Sequence, residues 1–202
     1  MKKTILIFLL FLASRSFSLT LEQVKAALKD NSIPRDSIEM NLRISVRATG
    51  VYQQTEVYMV NKGPAKSYTE IKSGLLKQRS IVNGKKMKII DLKTNKSRIL
   101  DYDEDALKPN SYGNFNPLDS GEWNEPKFFS DDIYTIQGSA GTLYYNNKKK
   151  RIEKIETMKG RANTLTTFSY DVNNKMKKME VSVIVNGTES IVTTEILRMQ
   201  KS

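Results

Sequence analysis

The sequence predicts a mainly β protein, one short helix followed by about ten or eleven antiparallel strands in a single curved sheet. Three observations carry this. The stretch 37–48 is apolar at every second position (Ile38, Met40, Leu42, Ile44, Val46, Ala48), with Asn41, Arg43, Ser45 and Arg47 between. A period of two sends the two sets to opposite faces of a strand. Similar short runs recur at even spacing and are separated by turn residues, such as Asn83-Gly84 and Asn186-Gly187. That spacing predicts a meander rather than βαβ units.

Composition bounds the chemistry. The chain has 202 residues, no cysteine and no histidine. Disulfides, thiolate metal sites and the Ser-His and Cys-His dyads are therefore excluded. Residues 1–18 read as a secretory signal peptide, with Lys2 and Lys3 before a short apolar core at 5–13. That core is too short to span a bilayer comfortably. Ser16-Phe17-Ser18 places small residues where a signal peptidase reads, so cleavage is expected near Ser18, leaving a single domain over 19–202 and a periplasmic location. Taking Lys2, Lys3 and Arg15 from the net charge of +11 leaves +8 on the mature chain. A basic balance suits an anionic membrane surface or an acidic membrane-protein partner. Export argues against nucleic acid.

The elements follow in order. Thr20 caps a helix over 20–31, with Gln23 at the capping-box position and Leu21, Val24 and Leu28 on one face. Pro34 ends the helical region. Strands are expected at 37–48, 51–60, 66–72, 78–82, 85–91 and 97–100. Asn83-Gly84 is expected to form a type I′ turn, with positive φ at both central positions. The ladder resumes at 133–137, 142–145, 151–158, 164–170, 176–185 and 190–199. Met179, Val181, Val183 and Val185 alternate with Lys178, Glu180, Ser182 and Ile184.

Between the two halves, 101–132 breaks the pattern. It holds nine acidic residues against Lys108 and Lys127, together with Pro109, Pro117, Pro126, Tyr102, Tyr112, Phe115, Trp123, Phe128 and Phe129. So many aromatics bury large areas. The segment is either a lid over a cavity, with Trp123, Phe128 and Phe129 as closing residues, or an irregular excursion packed on the sheet.

Candidate sites are few. Asp101, Asp103 and Asp105 alternate as in a calcium loop, but Ala106 and Tyr112 stand where an EF-hand needs Gly and Glu, so a solvated acidic turn is the better reading and no metal site is assigned. The clusters Lys148-Lys149-Lys150-Arg151 and Lys175, Lys177, Lys178 suit anionic lipid or an acidic protein, or simply protect strand edges from aggregation. Neither catalytic residues nor a cofactor site can be named, since no phosphate loop or serine elbow is present. Two carboxylates in a cleft would suffice for a secreted hydrolase.

The order of elements over nearly all the mature chain resembles the LolA/LolB-like lipoprotein-localisation family, the outer-membrane lipoprotein-sorting proteins. The resemblance rests on the leader and helix, then a strand opening at Ser37-Ile38-Glu39-Met40. It continues with Val60-Asn61-Lys62-Gly63-Pro64, where a strand ends in a basic residue and a proline, and with Ile81-Val82-Asn83-Gly84-Lys85-Lys86-Met87, which looks like the family's hairpin. It implies an incomplete antiparallel β-barrel (half-barrel) whose concave side is covered by helices, with an apolar cavity that shields acyl chains; in this chain the N-terminal helix and the long acidic loop stand where the family places its cover. In the family's carrier a basic residue before that proline helps hold the lid closed. Lys62 is the nearest match, displaced by Gly63.

A carrier for lipoprotein acyl chains or another amphiphile needs a broad apolar wall. The wall expected here is Met40, Leu42, Ile44, Val57, Met59, Met87, Ile89, Met179, Val181 and Val183, the methionines adapting to a ligand of variable shape. The same residues serve equally as ordinary core. A sensor or protein-binding module of the same fold is the alternative function, and the carboxylate hydrolase a third.

Overall fold

The computed structural model describes residues 19–30, 38–63, 65–102, 117–119, 121–139 and 141–201. The leader at 1–18, Pro34, Pro64 and the stretch 103–116, with Asp103, Asp105, Tyr112 and Phe115, lie outside the described residues. Helix α1 (Leu21–Asp30) starts at the predicted capping box. The Thr20 N–H donates to Gln23 Oε1 at 3.0 Å and the Gln23 N–H to Thr20 Oγ1 at 3.3 Å. Two donors that the first turn leaves orphaned are thus satisfied reciprocally. Val24 is fully buried beneath the helix, as its stripe predicts.

The strands are β1 (Ile38–Ala48), β2 (Val51–Asn61), β3 (Lys66–Ser73), β4 (Lys77–Asn83), β5 (Lys86–Asp91), β6 (Ser97–Asp101), β7 (Lys127–Ser130), β8 (Ile133–Gly138), β9 (Gly141–Asn146), β10 (Arg151–Lys159), β11 (Ala162–Tyr170), β12 (Met176–Val185) and β13 (Thr188–Lys201). All thirteen form one antiparallel sheet in the order β6-β5-β4-β3-β2-β1-β13-β12-β11-β10-β9-β8-β7. Among the described residues β6 and β7 are the edges and do not pair with each other, so the sheet stays open as an incomplete barrel. The count among the described residues exceeds the ten or eleven expected overall: each of the twelve stretches named from the sequence forms a strand, and the addition is β7, four residues inside the acid-rich stretch, too short to show an alternation.

Strands β1 and β13, near the two ends of the chain, pair from Ile38–Lys201 to Arg47–Ile191. A bulge at Asn41/Leu42 sets Leu197 out of the ladder while Ile196 still faces Leu42. This pairing joins the halves at the middle of the sheet. Consequently 102–126 must run from one edge, β6, to the opposite edge, β7. On the way Leu118, in a 3₁₀ turn at Pro117–Asp119, is buried in the cluster beneath α1. The connection therefore touches the helix-covered face, called the inner face below.

Turn chemistry held in kind and shifted in detail. Asn186 and Gly187 have φ of 51° and 79°, the two positive values a type I′ turn requires. Asn83-Gly84 departs from this. Asn83 pairs with Lys86 as the last strand residue, and Gly84-Lys85 makes the turn, with positive φ only at Gly84. The ladder register, set by long-range pairing with β3, overrides the local Asn-Gly preference.

On the outer face of β3, Glu70 is held by three partners. Lys72 Nζ lies 2.5 Å from Oε1, Tyr68 Oη donates to Oε2 at 2.7 Å, and Arg79 Nη2 donates to Oε2 at 2.9 Å. Led by the Lys72 contact, they bring the carboxyl down to about 2. Its folded value lies below its unfolded one, so the stabilisation is complete above the unfolded value and is lost as pH falls toward the folded value. Because Lys72 and Arg79 are solvent-accessible, screening trims the contribution to about 1–2 kcal/mol. Urea titrations of Glu70→Gln should show that much less loss of stability than the parent between about pH 4.5 and 2; equal losses would show that Glu70 does not carry this pH dependence.

Candidate functional site

Residues directly opposite in an antiparallel ladder share a face, so the register fixes where each wall residue points. Met40 opposes Met59, and Leu42 opposes Val57. Met87 opposes Val82, and Ile89 opposes Ser80. Val181 opposes Val192 and Val183 opposes Ser190. Following these pairs across the sheet puts Met40, Leu42, Ile44, Val57, Met59, Met87, Ile89, Met179, Val181 and Val183 all on the inner face. Met40, Leu42 and Val57 are buried and the other seven are half-buried.

The inner face carries two apolar clusters. Ile38, Met40, Leu42 and Val57 form the first, flanked by Ile44, Met59, Ile71, Ile196 and Met199. The second lies under α1 and contains Val24, Leu118, Ile136, Leu143, Tyr145, Ile152, Ile155 and Phe168, with Leu19, Leu21, Leu28, Trp123, Tyr170, Met176 and Met179 packed against it. Five of the ten wall residues thus belong to the first cluster and Met179 to the second. Met87, Ile89, Val181 and Val183 share the face but lie outside both. Sequence reasoning did not single out Leu118, Leu143, Tyr145 or Phe168. Alternation in β9 and β11 could have shown the last three, whereas Leu118 sits in no periodic run.

The candidate closing residues separate. Trp123 forms a bridge with Gly138 at the end of β8, flanked by the Asn124 N–H donating to Gln137 O at 2.8 Å and the Ser139 N–H donating to Glu122 O at 3.0 Å. A Cβ added at Gly138 would overlap the Glu122 carbonyl oxygen and lie 2.6 Å from the Trp123 ring, so only glycine lets the backbone at 122 and the indole sit there. Glu125 Oε2 accepts the Leu21 N–H at 2.9 Å, a carboxylate at the helix N-terminus where the dipole favours it. Phe128 and Phe129 are largely exposed and straddle the edge strand. Phe128 meets Tyr134 edge-on at 5.7 Å, and Phe129 meets Tyr144 at 5.6 Å. Tyr134 opposes Tyr145 on the inner face and Tyr144 faces outward, so only Phe128 is on the closing side. Lys62 sits in the β2–β3 turn, its N–H donating to Lys66 O at 2.9 Å, its side chain exposed and without an ion pair among the described residues.

Tyr145 is fully buried, and its hydroxyl has no hydrogen-bond partner among the described residues. Burial pushes its phenol up to about 12. Nearby, Tyr170 Oη donates to Ile152 O at 2.5 Å, and the Arg151 guanidinium lies over the Tyr170 ring at 4.2 Å.

The outer face of β8–β13 holds a shallow groove of about 1110 Å³, lined by Glu122, Glu156, Glu180 and Glu189 together with Met158, Leu165, Ile184 and Ile191. Sequence reasoning missed it, because its residues occupy the polar phase of each strand. Lys154 and Lys178 respectively hold the Glu156 and Glu180 carboxyls below the usual range, the opposite of what a general acid needs. Among the described residues no cluster could hold a metal ion, and no helix is long and apolar enough to cross a membrane.

No protein-family model matches the chain, and no curated protein matches it. Solved structures do. A LolA superfamily protein, NE2245 from Nitrosomonas europaea, superposes with a TM-score of 0.58 at 13% identity, covering 92% of this chain and 94% of that one. An outer membrane lipoprotein-sorting protein domain from Vibrio parahaemolyticus gives 0.53 at 6% identity, covering 89% and 91%. The open sheet with its N-terminal helix is therefore the LolA-like fold.

Gly138→Ala should push Trp123, the only tryptophan, off β8 and shift its emission to the red; unchanged emission would refute the contact. Tyr145→Phe removes an unpartnered buried hydroxyl and should be neutral or stabilising by up to about 1 kcal/mol in chemical denaturation. A loss of that size would mean the hydroxyl is satisfied.

Proposed function

We propose that the protein is a periplasmic carrier that shields the acyl chains of lipoproteins, or of another amphiphile, against the inner face of the sheet, with no catalytic step. One observation carries this reading. An unclosed sheet presents ten predicted apolar residues on the single face that α1 and Leu118 overlie. Exposing an acyl chain of about fifteen methylenes to water costs roughly 12 kcal/mol, so a carrier has to supply a wide apolar surface and a removable cover. The likeness in fold to a LolA superfamily protein and to a lipoprotein-sorting domain supports the same class of cargo. The leader at 1–18, cleaved near Ser18, supports the compartment.

In this reading α1 and the turn around Leu118 form the cover. The helix has ten residues, too short to persist alone, and its packing on the sheet is what keeps it folded. An acyl chain sliding beneath it replaces Val24 and Leu28 against Leu143, Ile155 and Phe168 without exposing the sheet. Trp123, anchored to β8, stays as a fixed margin. Lys62 stands apart as an exposed cation beside the β2–β3 turn. The outer groove favours a second reading, a protein-binding module that uses Ile184, Leu165 and Met158 with their flanking glutamates.

Displacement of a fluorescent fatty acid separates the two. Val181→Asp and Val183→Asp, on the inner face, should weaken probe binding at least about tenfold, while Ile184→Asp, on the outer face of the same strand, leaves it unchanged. Equal losses from both faces, or no uptake by the parent protein, would overturn the carrier.

A further inference from the structure

The two basic clusters converge at one end of the sheet. Strict antiparallel alternation opens the β9–β10 turn (147–150) and the β11–β12 turn (171–175) at the same end. Hydrogen bonds join them: Asn174 Nδ2 donates to Lys149 O at 2.7 Å, and Arg151 Nη1 donates to Asn174 Oδ1 at 2.9 Å. Lys148, Lys149, Lys175 and Lys177 are exposed and make no ion pair among the described residues. Arg151, by contrast, is tied to Glu153.

Nearby acids only partly offset these charges. Asp171 Oδ1 accepts the Asn173 and Lys175 N–H groups, both at 2.9 Å, and so shapes the turn. Asp131 and Asp132 stand in the adjoining β7–β8 turn, where Asp132 O accepts the Asn147 N–H. The same end continues across β1, β2 and β13 with Lys62, Lys66 and Lys201, because Ile38 opposes both Asn61 and Lys201. At the tip of the second turn Val172 is 101% exposed.

We propose that this end of the sheet docks on the anionic phospholipid headgroups of a bilayer, with Val172 entering the headgroup layer. Lysines are mobile point charges on flexible stems, suited to a diffuse array of phosphates. Each one near an anionic leaflet strengthens binding about fivefold. A protein partner would call for a desolvated apolar centre with aromatic or arginine anchors. Of the described residues in the two turns, Val172 is the one large apolar side chain, and it stands alone among cations. Docking by this end leaves the inner face free, so it holds whatever that face binds.

The test is co-sedimentation of the full protein with vesicles of phosphatidylethanolamine and phosphatidylglycerol, against phosphatidylcholine alone. Binding is expected to the anionic vesicles only, strong at low salt and lost at high salt. The variant K148Q/K149Q/K175Q/K177Q should bind at least about tenfold more weakly with an unchanged circular dichroism spectrum. The charge-matched variant K77Q/K96Q/K159Q/R161Q, altered at the opposite end, should keep its affinity to within about twofold beyond the loss from net charge. V172S should weaken binding by a similar factor at every salt concentration at which the parent protein still binds. The proposal is overturned by equal loss from the two quadruple variants, by binding to neither vesicle, or by capture of an acidic protein while vesicles are ignored. The inner-face variants Val181→Asp and Val183→Asp should still sediment, so failure here and failure of the carrier reading are read separately.

Discussion

The structure depends on the pairing of β1 with β13. These strands come from near the two ends of the chain, and among the described residues theirs is the one ladder that joins the two halves of the sheet. Because side chains alternate with a period of two, a one-residue slip there would send one half's apolar residues to the opposite face. The bulge at Asn41/Leu42 takes up the one misfit, keeping Met40–Met199 and Leu42–Ile196 on the same side. One continuous inner face across thirteen strands follows from that register.

A second consequence is topological. With the chain ends paired in the middle, β6 and β7 become the opposite free edges, and the acid-rich segment has to bridge them. Leu118 shows where it crosses, in the cluster beneath α1. Glu125 ties the end of that segment to the helix by accepting the Leu21 N–H. Helix and connection are thus coupled, while Trp123 is bridged to β8. In the carrier reading this coupled unit is what an amphiphile displaces.

Much of this was legible in the residues. The expected wall residues occupy one phase of β1, β2, β5 and β12, and the ladder sets those phases on one face. The capping box at Thr20 and Gln23 and the turn at Asn186-Gly187 were local signals that nothing opposed. What escaped the sequence depended on long-range pairing. The Asn83-Gly84 turn moved by one residue because β3 dictates the register of β4. β7 was hidden among acids and prolines, and its Phe128 and Phe129, which the sequence leaves as either closing residues or part of an excursion on the sheet, straddle an edge strand. Leu118 lies in a segment without periodicity, so only its neighbours in space reveal it. The outer groove arises from polar-phase residues of six strands, a combination that no single stretch displays.

The central claim is that the inner face is a wall for a removable amphiphile and more than a packed core. Native mass spectrometry of the protein purified from its own envelope tests this most directly. The account predicts a bound species of lipid or lipoprotein mass, released on unfolding and regained when amphiphile is offered to the stripped protein. A protein that carries nothing and takes up nothing would show that the two inner clusters are core alone.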